Sequence, residues 1–327
     1  MKKILVIRFS SIGDIVLTTP VIRCLKEQLP DIQLHALTKK KFSSLYDTNP
    51  HIDKVYEFDD SLSDIIKELK KEKYDYVIDL QKNNRSLRVC MALSCKYRSF
   101  PKLNFKKFLL TSFKINLLPN IHIVDRYFMA VKDLCVHNDN KGLDFFISDS
   151  NFMQEPDIPE SFRNGFYAIV IGGTYFTKIL PSEKIIEIIK RLDEPVVLLG
   201  GTGDMKRADE IVKATNNLVV GNPVGKLNIE QSASVLLMAK KVLTNDTGMM
   251  HIAAALHKTV ISVWGNTVPE FGMYPYLPLE PEKVKIIECK DVKCRPCSKL
   301  GYKRCPRKHF KCMMNIDVDY IVQKLKE

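Results

Sequence analysis

The chain has 327 residues, of which 45% are hydrophobic, and 50 Lys or Arg against 38 Asp or Glu give it a formal net charge of +12. This length exceeds one ordinary core and predicts two domains of about 150 residues each, which excludes a single small binding module. The positive charge predicts an anionic partner, such as a nucleotide, a nucleic acid or an acidic lipid surface.

The first residues, MKKILVIRF, have to be compared with an export signal. Their apolar run at residues 4–7 is broken by Arg8, and Asp14 follows. An export signal needs roughly 7 to 15 uninterrupted apolar residues. Nowhere else do about 18 apolar residues run together, as a membrane span requires. We therefore expect a soluble, cytoplasmic protein.

The first half of the chain alternates short apolar runs with amphipathic stretches, the pattern of a parallel sheet wound with helices. Pro20 suits the first turn of a helix capped by Thr18 or Thr19, although the helix could equally begin near Asp14 and bend. The polar segment 148–165, with two prolines, is the predicted linker. The predicted strands are KKILVIRF, IQLHALT and YDYVIDLQ, and the predicted helices are PVIRCLKEQL and LSDIIKELKKEK.

After the linker the alternation restarts, without a sequence repeat between the halves. We predict an α/β fold of two facing Rossmann-like domains, 1–155 and 156–327, with parallel sheets and a cleft between them. In such sheets ligands bind outside the carboxyl ends of the strands. The predicted strands are FYAIVIGG, PVVLLGG, KVLTND and TVISVWG, and the predicted helices are PSEKIIEIIKRL, GDMKRADEIVKAT, NIEQSASVLLMAK and GMMHIAAAL.

The loop in LTNDTGMMHIAAAL is the sharpest candidate site. A predicted strand ends at Asn245, the chain turns through Asp246, Thr247 and Gly248, and His251 falls in the first turn of the next helix. A glycine there lets the backbone approach a phosphate, whose charge the free amides at the helix start can bind. The alternative is an ordinary Asp N-cap with a surface histidine.

Two glycine-rich loops follow other strands. GGTGDMK at residues 200–206 lacks the third glycine and the later acid of a dinucleotide fingerprint, so hydride transfer is disfavoured and a phosphate-facing or purely structural turn remains. In GGTYFTKILPSEK, Thr174 can donate to an anion and Lys178 can neutralise a pyrophosphate leaving group. The alternative is an exposed lysine without a specific role.

Four segments, taken together and in order, resemble glycosyltransferase family 9, the ADP-heptose lipopolysaccharide heptosyltransferases. They are SSIGDIVLTTP, TKILPSEK, TNDTGMMHIAAAL and CRPCSKLGYKRCPRKHFKCMMNI, and the last is most similar to the heptosyltransferase II type. The resemblance implies a GT-B fold with an N-terminal acceptor domain, a C-terminal donor domain and a terminal helix. It also implies inverting transfer from a nucleotide sugar, with no cofactor and no catalytic metal.

The resemblance also implies roles for individual residues. Asp14 matches the general base, and Lys178 matches the lysine on the donor phosphate. Glu230 matches a position facing the donor ribose, whereas Ile179 and Leu180 replace an aromatic pair of some members. The donor turn corresponds to Asp246, Thr247, Gly248 and His251, with Thr174 nearby, and the acceptor side to Ser10, Ser11 and Gly13.

The chain has nine cysteines, which a cytoplasmic protein keeps mostly as free thiols. Four of them, Cys24, Cys90, Cys95 and Cys135, have apolar surroundings and are predicted to be core residues. The tail is different, because Cys294, Cys297, Cys305 and Cys312 could supply a structural zinc site. Membership of the family would not require a metal.

Two basic stretches carry more than the whole net charge. Residues 289–312 contain nine Lys or Arg and one acid, and residues 96–114 contain six basic residues and no acid. Solvated surface loops are the simplest interpretation. The alternatives that involve a partner are an anionic, lipid-linked saccharide acceptor at the inner face of the inner membrane, and a nucleic-acid-binding module with a zinc-binding tail.

Asp14 distinguishes these two functions. Nucleic-acid binding has no use for an acid at a cleft, whereas sugar transfer needs a base. We therefore predict a cytoplasmic glycosyltransferase, peripheral to the membrane, that uses an ADP-linked sugar and binds no nucleic acid.

Overall fold

The computed structural model describes residues 2–59, 61–154, 158–216 and 219–327. Its contacts divide the chain into two compact units. The first unit comprises Met1–Leu103 and Ile121–Phe146, and the second comprises Asn104–Asn120 and Ile147–Glu327. The predicted domain boundary at 155/156 lies outside the described residues. The sequence did not predict that 104–120 would group with the second unit.

The first unit contains a five-stranded sheet in the order β3-β2-β1-β4-β5, with every described pair parallel. Its strands are β1 (Lys2–Ile7), β2 (Ile32–Lys39), β3 (Lys54–Phe58), β4 (Tyr76–Asp79) and β5 (Lys96–Ser99). Its helices are α1 (Ile12–Val16), α2 (Thr19–Gln28), α3 (Ser44–Asp47), α4 (Ser63–Glu72), α5 (Asn84–Leu93) and α7 (Ile123–Phe128), while α6 (Asn104–Phe113) belongs to the second unit.

The central strands of the first unit are apolar because helices cover both faces of a parallel sheet. Residues 4–7 of β1 are almost completely buried. The chain then forms two helices where the sequence left one bent helix open. Thr18 is the N-cap residue of α2 and Pro20 lies in its first turn, whereas α1 is a separate short helix that contains Asp14.

The second unit contains a six-stranded sheet in the order β11-β10-β9-β6-β7-β8, again with parallel pairs. Its strands are β6 (Tyr167–Val170), β7 (Val196–Leu199), β8 (Val220–Gly221), β9 (Lys241–Asn245), β10 (Thr259–Trp264) and β11 (Val284–Glu288). Its other helices are α8 (Glu160–Arg163), α9 (Ser182–Ile189), α10 (Met205–Ala214), α11 (Ile229–Met238), α12 (Gly248–Ala255), α13 (Lys311–Met314) and α14 (Val318–Lys326).

The core of the second unit includes the Cys-rich tail, residues 289–316, and the last helix. Phe310 and Met313 of the tail, and Ile321 and Leu325 of α14, join the buried cluster formed by β6, β7 and their helices. Every strand that the sequence predicted in either half is present, so the α/β class with two parallel sheets is confirmed. Among the described helices, none has the length and apolar character needed to cross a membrane.

Each sheet reverses its strand order once. In the first unit the reversal lies between β1 and β4, and in the second it lies between β6 and β9. The loops that leave the two strands at such a point diverge to opposite faces and open a crevice at the carboxyl edge. The loop that contains Asp14 follows β1, and the loops of Lys178 and Asp246 follow β6 and β9.

Candidate functional site

Lys178 and Asp246 meet at the crevice of the second unit. The Nζ atom of Lys178 lies 2.5 Å from Oδ2 of Asp246, and both side chains are largely buried. The same Oδ2 atom accepts a hydrogen bond of 2.8 Å from the hydroxyl of Thr267, which follows β10. The structure therefore brings together two residues that the sequence placed in separate loops, and it adds a third.

Asn245, the last residue of β9, fixes the loop that follows β6. Its Nδ2 atom donates to the carbonyl oxygens of Val170 and Gly172, at 3.3 and 3.1 Å, while its Oδ1 atom accepts from the backbone N–H of Leu180 at 3.0 Å. A buried amide with partners at both ends of a loop holds the loop in one conformation. Lys178, which lies within that loop, is thereby kept next to β9.

The start of α12 differs from the simple alternative of an Asp cap with a surface histidine. Thr247, not Asp246, is the N-cap residue, and Gly248 is the first helical residue. His251 is only 3% exposed. Asp246 is thus available to pair with Lys178, and the first amides of α12 follow directly behind that pair.

Thr174 and Glu230 lie in different settings. Thr174 is exposed in the loop after β6. Glu230 is buried on α11, where its Oε2 atom accepts hydrogen bonds from the backbone N–H of Ser148 at 2.9 Å and from the amide of Asn151 at 3.2 Å. These bonds attach α11 to the predicted linker. The proposed contact of Glu230 with a donor ribose stays a prediction.

The GGTGDMK loop is explained by its own packing. Asp204 accepts a hydrogen bond of 3.0 Å from the backbone N–H of Gly201. A Cβ atom at Gly172 would lie 2.4 Å from Oδ2 of Asp204, and one at Gly200 would lie 3.0 Å from it. The glycines therefore make room for a carboxylate that closes the turn, which is the structural interpretation of this motif.

The Cys-rich tail packs against the loop that contains Lys178. The backbone N–H of Tyr302 donates to the hydroxyl of Thr177 at 2.8 Å, and the N–H of Thr177 donates to the carbonyl of Tyr302 at 3.2 Å. The rings of Phe176 and Phe310 stack with their centroids 4.9 Å apart. The tail thus supports the loop that contains Lys178 directly, a role that its charge did not predict.

Arg295 and Thr267 are the residues that sequence reasoning missed. Although Arg295 is one of nine basic residues in the tail, its side chain is 5% exposed and forms an ion pair of 2.9 Å with Glu288. It also donates to the carbonyl oxygens of Gly265 and Thr267, at 2.5 and 3.0 Å. Thr267 could have been found from its place after a buried strand, whereas nothing in the sequence separates Arg295 from its exposed neighbours.

Asp14 of the first unit is paired with a buried arginine. The Nη2 atom of Arg8 lies 2.6 Å from Oδ1 of Asp14. Arg8 also donates to the carbonyl oxygens of Leu80 and Ser10, at 2.5 and 2.8 Å, and to the hydroxyl of Tyr127 at 3.1 Å. Burial alone would lower the pKa of Arg8. The nearby charge of Asp14 and the phenol groups of Tyr127 and Tyr46 outweigh burial and raise this pKa above its usual value.

Asp14 also has a local structural role. Its Oδ2 atom accepts hydrogen bonds from the hydroxyl and the backbone N–H of Ser11, at 2.9 and 3.3 Å, as in a capping box. Ser11 is exposed, Ser10 is partly exposed and Gly13 is buried beneath them. The arginine and the serine together fix both carboxylate oxygens, so the side chain points in one direction.

The tail cysteines are not arranged as a metal site. All nine thiols are free, and Cys312 is buried, which raises its pKa to about 12. The Sγ atom of Cys294 lies 3.8 Å from Nε2 of His309. Within the described ranges, no group of three or more His, Cys, Asp or Glu side chains is placed to hold an ion. The zinc hypothesis for Cys294, Cys297, Cys305 and Cys312 thus gains no support from the described residues.

The strand-end loops with Lys178 and Asp246 lie within a segment that is also similar to a known family. Residues 62–305 match the family model described as glycosyltransferase family 9 (heptosyltransferase), which is more than half of the chain. The chain belongs to glycosyltransferase family 9. It is therefore a glycosyltransferase, and the family interpretation made from the four sequence segments is confirmed.

Individual relatives of this family 9 protein cover most of its length. It is 26% identical to lipopolysaccharide heptosyltransferase 1 of Campylobacter coli over 81% of this chain and 84% of the relative. It is also 26% identical to lipopolysaccharide heptosyltransferase 3 of Escherichia coli K12, over 78% of this chain and 80% of the relative.

A solved family 9 structure has the same fold along the whole chain. The ADP-heptose LPS heptosyltransferase II of E. coli superposes with a TM-score of 0.74 at 19% identity, and the match covers 100% of this chain and 98% of that one. The GT-B fold, with its two parallel-sheet α/β domains, is thereby confirmed.

Proposed function

We propose that this family 9 glycosyltransferase moves heptose from ADP-heptose to a lipid-linked saccharide of the lipopolysaccharide core, with inversion at the anomeric carbon. The observation that carries the proposal is the match to lipopolysaccharide heptosyltransferases over most of the chain. The alternative, a nucleic-acid-binding module, loses its main support because the cysteines of its supposed zinc knuckle form no ion site among the described residues.

In this proposal the donor binds at the crevice of the second unit. Lys178 leaves its partner Asp246 and contacts the diphosphate, while the first amides of α12 after Thr247 and Gly248 donate to the same group. Thr174 adds a hydroxyl donor to the same site. His251 is buried in the first turn of α12 and packs beneath the amides that bind the diphosphate. A lysine and a helix N-terminus supply the positive charge that a leaving diphosphate requires.

Asp14 is the general base in this proposal. The acceptor hydroxyl oxygen forms a bond to the anomeric carbon as the bond from that carbon to the diphosphate oxygen breaks, and the diphosphate leaves with the electron pair. The proton of the hydroxyl passes to the carboxylate of Asp14. Arg8 and Ser11 hold that carboxylate in position, and Ser10 and Gly13 border the acceptor.

The acceptor is an anionic glycolipid in this proposal, and the enzyme works at the cytoplasmic face of the inner membrane. The excess of Lys and Arg in 289–312 and 96–114 supports an anionic acceptor. A membrane-linked acceptor also brings the enzyme to a lipid surface, where each basic residue contributes about 1 kcal/mol.

The direct experiment measures transfer by the full chain from a panel of donors that includes ADP-heptose, ADP-glucose and UDP-glucose. The acceptors are purified lipopolysaccharide precursors that lack heptose or carry one. We expect heptosylated product by mass spectrometry only with ADP-heptose, and an inverted anomeric configuration by NMR. Transfer from a different nucleotide sugar at a higher kcat/KM would refute the assigned donor, and product with retained configuration would refute the mechanism.

A further inference from the structure

Helix α6 and the residues that follow it expose an unusual number of large apolar side chains. The five most exposed are Phe105 (72%), Phe108 (52%), Phe113 (61%), Ile115 (50%) and Leu117 (54%). Single exposed apolar residues are normal on a soluble protein, but a contiguous group indicates a surface that contacts something else. The rings of Phe108 and Phe113 contact each other with their centroids 5.8 Å apart, and Phe105 lies one turn before Phe108 on α6, so these three form such a group.

The opposite side of this segment is attached to the second unit. Leu110 is buried and packs with Val268 and Phe271, and Leu118 packs against the same small cluster. The ammonium of Lys107 lies 5.8 Å from the centroid of the Phe271 ring. The segment is thus held by one face, and its phenylalanines remain in contact with solvent although there is a core on the other side.

The stretch of sequence that contains these phenylalanines carries only positive charges. From residue 80 to residue 124 the sequence contains nine Lys or Arg and no Asp or Glu. Lys106, Lys107 and Lys114 lie within the exposed segment itself. An exposed apolar group on a segment that carries lysines and no acid is complementary to an anionic lipid bilayer, in which acyl chains lie beneath negatively charged phosphates.

A basic cavity lies directly beside this segment. It has a volume of about 950 Å³, and its wall includes Thr111 and Ser112 of α6. Four basic residues, Lys114, Lys293, Arg307 and Lys311, also line it, against one acid, Asp291. The Nζ atom of Lys114 donates to the carbonyl oxygens of Cys294 and Pro296, at 3.0 and 2.7 Å. The end of α6 therefore connects the exposed apolar side chains to a cavity with the chemistry of a phosphate site.

We propose that residues 104–117 form a membrane-binding surface, in which Phe105, Phe108 and Phe113 enter an anionic phospholipid bilayer and the adjacent basic cavity receives lipid phosphates. This inference extends the proposed function, because a lipid-linked acceptor requires an enzyme that reaches the bilayer. The membrane would be contacted by the second unit through this segment, in addition to any contact with the acceptor itself.

The test is co-sedimentation of the full chain with vesicles, without donor or acceptor. We expect binding to vesicles of phosphatidylglycerol and phosphatidylcholine, weaker binding to phosphatidylcholine alone, and weakening by 0.5 M salt, which screens the lysines. The triple variant Phe105→Ser, Phe108→Ser, Phe113→Ser should reduce the partition coefficient at least about tenfold, because it removes three apolar groups from the interface. The matched control Leu279→Ser removes a side chain that is 70% exposed elsewhere in the second unit and should bind as the wild type does.

Four outcomes would overturn the inference. They are no binding to either kind of vesicle, equal binding to both kinds, and binding of the triple variant as strong as that of the control variant. The fourth is a wild-type chain that forms a dimer without lipid while the triple variant is a monomer. The last outcome would assign the surface to a second copy of the chain. Retained ADP affinity and melting temperature show that the triple variant is folded. Heptose transfer to a deacylated, water-soluble acceptor tests the proposed function separately, so failure of one proposal is distinguishable from failure of the other.

Discussion

Two neighbours contact the carboxylate of Asp14, which is the proposed general base. Ser11 donates to one oxygen and orients it, whereas the buried charge of Arg8 lies beside the other. Arg8 is buried and Asp14 is partly exposed, so removal of the carboxylate charge leaves a buried arginine without its counter-charge and costs stability.

Asp14→Asn should therefore have two separate effects. Because the amide cannot take the acceptor's proton, we expect transfer to fall at least about 100-fold. Because Arg8 loses its counter-charge but keeps a hydrogen-bond acceptor, we expect the free energy of unfolding to fall by about 1–3 kcal/mol. Steady-state kinetics, urea denaturation and ADP binding by calorimetry measure these effects, and ADP affinity should not change.

Asp139→Asn is the matched control for this variant. Asp139 pairs with Arg23 at 2.9 Å in the same unit, and that arginine is as buried as Arg8. Arg23 also pairs with Asp144 and so keeps one counter-charge, and we therefore expect a smaller loss of stability with kcat retained. If both variants reduced kcat equally, Asp14 would be a structural residue and not the base.

Lys178→Gln tests the proposed contact with the diphosphate. Loss of one charge-assisted hydrogen bond, worth about 1.5–3 kcal/mol, should weaken ADP binding by about 10- to 150-fold. Calorimetry measures the affinity. Lys184→Gln is the control, since Lys184 lies on α9 and its nearest acid is Glu187, at 3.8 Å. An unchanged ADP affinity in Lys178→Gln would place the lysine outside the donor site.

The residues of the site were predictable where a charge follows an apolar strand. Asp14 follows β1 of the first sheet, whereas Lys178 and Asp246 follow β6 and β9, neighbouring parallel strands whose carboxyl ends meet at one edge of the second sheet. Arg8 and Arg295 were not predictable, because burial of an arginine depends on partners far away in the sequence. The ion pair between Arg8 and Asp14 was therefore not predicted, although both residues lie close together after β1. The burial of Arg8 depends on the distant residues Leu80 and Tyr127.

At the scale of elements, the contact of the tail with the loop after β6 depends on Gly301. This residue has φ of +133°, and a Cβ atom added to it would lie 2.5 Å from Cβ of Tyr175. Only glycine adopts that conformation without strain and leaves room for the neighbouring side chain. Tyr175 lies in the same loop as Lys178.

Gly301→Ala should therefore displace the loop and weaken ADP binding several-fold, with a lower melting temperature. The comparison variant is Gly203→Ala, because a Cβ atom at Gly203 would meet no atom within 4 Å. Calorimetry and thermal denaturation of both variants measure the difference. Identical ADP affinities in the two variants would show that the tail does not position the loop.

The end of α4 is connected to two strands of the first sheet through Glu72. Its carboxylate pairs with Lys3 of β1 at 2.6 Å and with Lys54 of β3 at 3.0 Å, and it accepts from the hydroxyl of Tyr56. Hydrogen bonds from Lys3, Tyr56 and Lys54 lower the pKa of Glu72 from 4.5 to about 2. The folded protein thus holds this carboxylate ionised more firmly than the unfolded chain does.

A lowered pKa in the folded state stabilises the protein above pH 4.5, and this contribution is lost as the pH falls towards 2. Glu72→Gln should therefore reduce stability at pH 7 and flatten its dependence on pH between 4.5 and 2. Urea denaturation at several pH values measures both effects. Glu68→Gln, on the exposed side of α4, should keep the wild-type dependence. Parallel pH curves for the wild type and Glu72→Gln would exclude Glu72 as the cause.

The predictable elements were the ones buried on both faces. Strands such as β6 and β7 are continuous apolar runs, because helices cover both sides of a parallel sheet. The edge strand β5 has the sequence KYRS, is mostly exposed and looked like part of a basic stretch. Edge strands pair on one side only, so their composition resembles that of a loop.

At the scale of the whole molecule, the assignment of the donor to the second unit has a direct test on the intact chain. Hydrogen exchange with and without ADP should show protection at residues 172–178 and 245–251, which flank the crevice. Residues 9–14 of the first unit should exchange unchanged. Mass spectrometry of peptides measures the difference. Protection of residues 9–14 alone would reverse the assignment of the two units.

Length and periodicity predicted two units with parallel sheets, but they could not predict the path of the chain between them. The sequence suggested a single crossing at the polar linker, whereas the chain passes between the units at 103/104, 120/121 and 146/147. Contacts of α6 with Val268 and Phe271 cause the first two crossings. Such distant contacts leave no signal in local patterns of polarity.

These three crossings have a consequence for synthesis on the ribosome. Residues 104–120 emerge long before Val268 and Phe271, which cover Leu110 in the finished protein. At about 5–20 residues per second, the nascent chain waits on the order of ten seconds with this apolar segment uncovered. All residues of the first unit are therefore synthesised while segment 104–120 still lacks its packing partners. A chaperone that binds short apolar segments would bind this segment during translation.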